Sequence, residues 1–238
     1  MASLNLCTDE LVLMLAAPEQ IVSVTHLAQS EAETPLWRRA RHYARNDGSL
    51  LSVTPLRPDL VVTMGGGGRD RLRLAERLGI ATVDLPFAQS LVEVGESVRR
   101  LAIALDRRPE GAALLRRMAA LLRGAPAMRR DAIWLGGGGR TVSADGLEAQ
   151  WMALAGLGQR RLQGDRVSLE TLLVRPPAIL LRSDYRQGQY SNGQRWLAHP
   201  AARFVRGART VPTDGRRWTC MGPLLIEEIA RLRRAVTS

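Results

Sequence analysis

The 238-residue chain contains no lysine. All 34 of its basic residues are arginine, and against 23 acidic ones they leave a formal charge of +11. Without lysine there is no Gly-Lys-Ser/Thr ending, so neither Gly-rich run in the chain is a phosphate-binding P-loop. Cysteine is nearly as scarce. Cys7 and Cys220 form no CxxC pair and no zinc-ligand spacing. The three histidines, His26, His42 and His199, lie in no HExxH or G-x-S-x-G context, which removes two common hydrolase signatures. Aromatics make up 4% of the chain and the arginines are spread along helical stretches. A nucleic-acid reader needs a basic stripe interleaved with aromatics, or a recognition motif, so no nucleic acid is expected as a partner. Apolar runs are short. One of the longest, Leu11 to Ala17, falls well below the roughly 20 residues that span a bilayer.

What is present is a chain that is 45% apolar, enough to bury a core in one large or two ordinary α/β lobes. Strand and helix signals alternate: strands over Ser3–Leu6, Ile21–Val24, Leu60–Met64 and Thr82–Leu85, with Thr8 as the cap of a helix that stops before Pro18. Such alternation predicts parallel strands with helical crossovers. From Leu91 to Gly124 the pattern is nearly continuous helix, broken at Arg107-Arg108-Pro109. Beyond the break Leu114, Leu115, Met118, Leu121 and Leu122 form one apolar stripe. The alternation restarts at Ala132.

An internal repeat supports two lobes. SLLSVTPLRPDLVV (49–62) and SLETLLVRPPAILL (168–181) both read as Ser-Leu, a short apolar turn, Arg-Pro and a buried strand. The expected fold is α/β: an N-terminal lobe over 1–107, a connecting helix over 108–129 and a C-terminal lobe over 130–238. The lobes have parallel-type central sheets with flanking helices and are joined by that single long helix.

Two runs of four glycines draw attention to the strand ends. VVTM leads into Gly65, Gly66, Gly67, Gly68 and Arg69; AIWL leads into Gly136, Gly137, Gly138, Gly139 and Arg140. They are not equivalent positions in the repeat, yet both follow strands, and ligands of open α/β sheets bind at the carboxyl ends of strands. Neither run has the dinucleotide fingerprint spacing. Trp37, Tyr185, Tyr190 and Trp218 also fall in loops after strands. Aromatic rings, arginines and bare glycines together suit a bulky, flat or anionic ligand. His26, just after a strand, is the one histidine placed to join such a site; His42 reads as a solvated helix face and His199 as a surface helix turn. No acid/base pair stands out, and a binding protein is expected rather than an enzyme, with no cofactor of its own. A cytoplasmic α/β enzyme acting on a nucleotide or sugar-phosphate stays open as the alternative.

The order SLNLCTDELVLMLAAPEQIVSV, then SLLSVTPLRPDLVVTMGGGGRDRLRLAERLGIATVDLP, then a long helix resembles the periplasmic substrate-binding proteins of cobalamin and ferric-siderophore ABC importers. RWTCMGPLLIEEIARL resembles that family's final strand-to-helix passage. The resemblance covers essentially the whole chain. It implies a monomer that holds a metal chelate, a cobalamin-like corrinoid or a ferric siderophore, in a cleft between two lobes and delivers it to an ABC permease at the inner membrane. Carried over by position, the cleft would be lined by Leu6, Cys7, Thr8, the stretch around His26, Gly65 to Arg69, Gly136 to Arg140, Tyr185 and Trp218, with Trp37 added from its loop. The family docks on its permease through an acidic residue on each lobe. Arg69 or Asp70 falls near the first such place, whereas Thr219 and Cys220, with no carboxylate, stand near the second. Cys7 and Cys220, one in each lobe, would form a bridging disulfide, supply thiolates to a metal, or remain two separate thiols. A periplasmic location follows from the resemblance, with the leader absent before Met1-Ala2.

Overall fold

Asn5 follows the first strand and caps the first helix. In the computed structural model, which describes residues 1–65, 69–183 and 192–237, β1 (Ala2–Ser3) leads into the helix Leu6–Leu15. Asn5 is extended, with φ −153° and ψ 161°, and its side chain accepts the Thr8 N–H at 2.9 Å. That satisfies one of the donors left open at a helix start. The strand predicted over Ser3–Leu6 is therefore shorter and the cap is not Thr8, whose hydroxyl donates back to the Asn5 carbonyl at 3.0 Å from inside the first turn. The helix buries Leu6, Thr8, Asp9, Glu10, Leu11, Val12, Leu13 and Leu15, covering nearly its whole circumference, as an apolar helix in a sheet-helix core does.

The chain divides into two units, Met1–Arg117 and Met118–Ser238. In the first, β1 is followed by β2 (Ser23–Thr25), β3 (Ala44–Asn46), β4 (Leu60–Met64) and β5 (Ala81–Leu85). All pairings are parallel, in the order β3-β2-β1-β4-β5. Leu4, Leu50, Val53, Val61 and Ile80 form one buried cluster beside the central strands. β3 is not expected from the sequence. WRRARHYAR reads as a helix face, but only Trp37–Ala40 is helical, and Ala44 and Arg45 are exposed on the edge strand. The helices Leu91–Ala104 and Arg108–Arg123 follow, separated where Asp106 takes φ 52°. On the second of them Leu114, Met118 and Leu121 are buried while Leu122 is 46% exposed, so the apolar stripe is narrower than its sequence spacing. The division between units falls within this helix.

The second unit holds β6 (Arg130–Leu135), β7 (Leu157–Gln159), β8 (Ile179–Ser183) and β9 (Arg209–Thr213). They are parallel in the order β7-β6-β8-β9. That is the order β2-β1-β4-β5 of the first unit, without a counterpart of β3. The sequence repeat maps onto it. Ser49 caps the helix Leu50–Val53 before β4 by accepting the Ser52 N–H, and Ser168 caps Leu169–Val174 before β8 by accepting the Thr171 N–H. Ile133, Leu135 and Leu180 pack with Leu172, Leu197 and Val205 on one face of the sheet. Trp151 is fully buried, and its Nε1 donates to the Met221 carbonyl at 2.9 Å. The passage expected to run from strand to helix at RWTCMGPLL is instead a 3-10 turn, Gly215–Trp218, ahead of the helix Leu225–Thr237; the strand is β9, upstream. No helix among the described residues is long and apolar enough to cross a membrane.

Candidate functional site

In the first unit the carboxyl ends of the strands carry most of the residues singled out by sequence. Gly65 follows β4 with φ +84°, and its N–H donates to the Leu85 carbonyl at 2.8 Å. A Cβ there would meet the Phe87 ring at 2.1 Å. Phe87, just past β5, thus lies over the bare backbone of Gly65 while remaining 62% exposed. Asn5 ties the neighbouring loop to the same place by donating to the Met64 carbonyl at 3.3 Å. Leu6, Cys7 and Thr8 form the helix turn that this contact anchors; Leu6 and Thr8 are buried and Cys7 is half-buried.

His26 is exposed at the end of β2, its N–H bonded to the Asn46 carbonyl at 2.9 Å. β1 separates β2 from β4, so His26 and Gly65 stand two strand spacings apart, about 10 Å. Trp37, in the connection from β2 to β3, is half-buried with the Arg38 and Arg41 guanidinium carbons 5.0 and 4.4 Å from its ring centroid. These cations already occupy the ring faces.

In the second unit the glycines after β6 meet their own chain. Gly136 accepts nothing larger beside the Trp134 ring, which an added Cβ would approach to 2.7 Å. Gly137 and Gly138 lie against Gly193 at the start of the helix Asn192–Ala198, and a Cβ on Gly193 would come within 3.3 Å of the Gly138 nitrogen. Gly139, at φ +72°, backs onto the Val167 carbonyl, which its Cβ would meet at 2.5 Å. Arg140 is exposed, and its carbonyl accepts the Gly136 N–H at 2.8 Å to close the loop. The tight approach that requires glycine here is backbone to backbone within the unit. Trp218 is 2% exposed, edge-on to Trp134 with centroids 6.3 Å apart, and its Nε1 donates to Thr213 Oγ1 at 2.8 Å. Its ring is a packing element and offers no open face.

A threonine at a strand end is held by a buried carboxyl in each unit, with opposite electrostatics. Asp9 accepts the Thr25 hydroxyl at 2.5 Å and the Thr25 N–H at 3.2 Å. Burial dominates, and despite those bonds and one from Ser3 the carboxyl is pushed up to about 7. Glu228 accepts the Thr213 hydroxyl at 2.6 Å. Burial is the largest influence and pushes it upward too, but Arg231, at 2.6 Å, together with the bonds from Thr213 and the Asp214 N–H, outweighs that and holds it below the usual range. The difference is the neighbouring guanidinium. Asp214 is likewise depressed, because its bonds to Arg216 outweigh its burial.

Gly66, Gly67, Gly68 and Tyr185 lie outside the described residues, and Arg69 opens the helix Arg69–Arg77. His199 caps the short helix Pro200–Arg203 through Nδ1, and His42 is exposed in the turn before β3. Neither Cys7 nor Cys220 is a free thiol. Cys7 sits in the first helical turn rather than after a strand, and Cys220 follows the 3-10 turn. Among the described residues no cluster of histidine, cysteine and carboxylate side chains could hold a metal ion. Phe87 is the residue that sequence reasoning passed over. Its signal was a Pro-Phe pair directly after a clear strand.

No protein-family model matches the chain, and no curated protein matches it in sequence. Solved structures do. The periplasmic heme-binding protein BhuT, in complex with two hemes, superposes with a TM-score of 0.71 at 18% identity, covering 99% of this chain and 97% of that one. The periplasmic heme-binding protein RhuT from Roseiflexus sp. RS-1, in apo form, gives 0.72 at 20% identity over 98% and 96%. The periplasmic vitamin B12 binding protein BtuF of Vibrio cholerae gives 0.68 at 15% identity over 99% and 95%. The fold is therefore that of periplasmic binding proteins over the full length of the chain, as the resemblance in sequence implied.

Proposed function

We propose that the protein is the substrate-binding component of an ABC importer, capturing a metal chelate at the carboxyl ends of its strands and delivering it to an inner-membrane permease from the periplasm. The observation that carries this reading is the likeness of fold to periplasmic heme-binding and vitamin B12 binding proteins over nearly the whole of both chains. The ligand class is a corrinoid, a heme or a ferric siderophore. The exposed Phe87 ring beside Gly65 favours a flat macrocycle, which a ring can cover at little entropic cost. Arg140 and the net charge of +11 favour a ligand with anionic groups. Reversible capture of this kind needs no acid/base pair.

Titrating the protein with cobalamin, hemin and a panel of ferric siderophores, and following tryptophan fluorescence, should give saturable quenching with one of them. Silence toward all of them would remove the proposal. Phe87→Ala should weaken the bound chelate by about tenfold or more, a loss of roughly 1.4 kcal/mol, without shifting the melting curve, because the side chain is mostly solvent-exposed.

Cys7 and Cys220 belong to the same proposal as a disulfide partnership with each other, supported by their being the chain's two cysteines and by the absence of a free thiol. Thiol alkylation read by mass spectrometry should label neither residue in native oxidised protein and both after reduction. Two labelled cysteines without reduction would end the idea.

A further inference from the structure

A second binding surface lies away from the strand ends, on the flank of the second sheet. A cavity of about 450 Å³ is lined by Arg182, Ala198, Arg203, Thr210 and Pro212, within the roughly 300–1,000 Å³ range of small-molecule sites. Its floor is set by the strand register. Arg182 on β8 is opposite Pro212 on β9, and Thr210 is opposite Leu180. Alternation along a strand puts Leu180 and Arg182 on one face, with Thr210 and Pro212 beside them. Leu180 belongs to the cluster with Leu197 and Ala202, which places the helices Asn192–Ala198 and Pro200–Arg203 over that face. β9 is the edge strand, and the helices leave Thr210 and Pro212 exposed. The cavity is the gap at that margin.

Among the described residues its charge is one-sided. Arg182 is half-buried; its Nη2 donates to the Leu197 carbonyl at 3.3 Å, and its Nε is buried with no hydrogen-bond partner. A guanidinium has five N–H donors, and among the described residues this one has a single long bond to a carbonyl, with its buried Nε left over. Arg203 is exposed, with its guanidinium carbon 5.2 Å from the Phe204 ring centroid. Residues 192–213 carry Arg195, Arg203, Arg206 and Arg209 and no aspartate or glutamate. Among the described residues neither Arg182 nor Arg203 is paired with a carboxylate. Two arginines lining one cavity supply the guanidinium chemistry that matches the planar, two-oxygen edge of a carboxylate or phosphate. Thr210 adds a hydroxyl and Pro212 an apolar wall.

We infer that this cavity is a binding site for a small molecule bearing a carboxylate or phosphate group, held by Arg182 and Arg203. The site goes beyond the chelate reading and does not depend on it. Isothermal titration at low ionic strength, where exposed charges are least screened, with inorganic phosphate and with citrate as probes, should show saturable one-to-one binding of at least one, and the stronger probe identifies the preferred oxyanion. Arg203→Ala should weaken that binding by about tenfold or more, as should Arg182→Gln provided its melting curve is unchanged. Arg99→Ala, which removes an exposed arginine on the helix Leu91–Ala104 and the same net charge, should leave it intact. No saturable binding of either probe, an unaffected Arg203→Ala variant, or an equal loss in Arg99→Ala would overturn the assignment. A protein silent to phosphate and citrate but quenched by a corrinoid would overturn this site alone.

Discussion

Gly139→Ala should destabilise the second unit by about 3 kcal/mol, a fall of roughly 10 °C in its melting temperature, while Gly137→Ala two positions earlier should cost under about 1 kcal/mol. The two glycines belong to one run and differ only in what surrounds them. Gly139 is at φ +72°, where an L side chain is strained, and its Cβ would press on the Val167 carbonyl at 2.5 Å. That carbonyl cannot retreat cheaply, because Val167 N–H is itself bonded to the Gly139 carbonyl at 2.8 Å. Gly137 is not among the positive-φ residues, and a Cβ there would find the Gly193 backbone at an ordinary contact distance of 3.6 Å. Chemical denaturation of both variants reads the difference. Equal, small losses would mean the run is a plain loop. A loss of chelate binding in Gly137→Ala with stability preserved would show that the ligand, as well as Gly193, comes close to this backbone.

Asp9→Asn should change stability in a way that depends on pH, and by the larger amount. The carboxyl sits at about 7 in the folded protein against an ordinary 3.8. A raised folded value means that the folded state keeps a proton the unfolded chain has already released. The favourable contribution of Asp9 is thus complete below about pH 4 and is lost as pH rises toward 7; above that, a charged carboxylate has to be buried. Asparagine keeps an acceptor for the Thr25 N–H and carries no charge. The stability of Asp9→Asn relative to the parent should therefore rise by roughly 4 kcal/mol between pH 4 and pH 8, other titrating groups cancelling in the difference. Denaturant midpoints of the pair across that range test it, and a difference that stays flat would show that Asp9 ionises normally. The site is tied to this group as well, because Thr25 immediately precedes His26, and the Thr25 bonds, which favour the charged carboxyl, should hold the end of β2 throughout that range.

The strands that announced themselves in the sequence are the most apolar ones or the ones with clear stop signals. β4, β5, β6 and β8 are apolar runs, and the Ser caps at 49 and 168 repeat at matching places before β4 and β8. β3, β7 and β9 were hidden and are all edge strands; β5 is at an edge too but was legible, because its Thr82–Leu85 run is closed by Pro86. An edge needs neither an apolar face on both sides nor a full set of N–H donors. β3 is Ala-Arg-Asn, and β9 carries Pro212 in its middle. At the candidate site, residue type pointed to the right loops but not to the direction of each side chain. Trp218 and Phe87 both follow strands, yet one is 2% exposed and the other 62%. Only packing separates them: Trp218 has Trp134 and Thr213 to cover it, and Phe87 has the bare backbone of Gly65. The glycine runs were visible as places of close approach, but what approaches Gly137 and Gly138, a glycine more than 50 residues later, carries no local signal.

Neither sheet borrows a strand from the other. β1 to β5 are complete at Leu85, and β6 begins at Arg130. On the ribosome, every strand of the first sheet is therefore available before any strand of the second has been made. Domains generally fold as they are synthesised, N-terminal first. For two halves that share a topology and a repeated motif, this order should be protective whether the chain emerges from the ribosome or from a membrane channel: β1 and β4 can pair before the look-alike strands β6 and β8 emerge, which leaves a mixed sheet no vacant partner to start from.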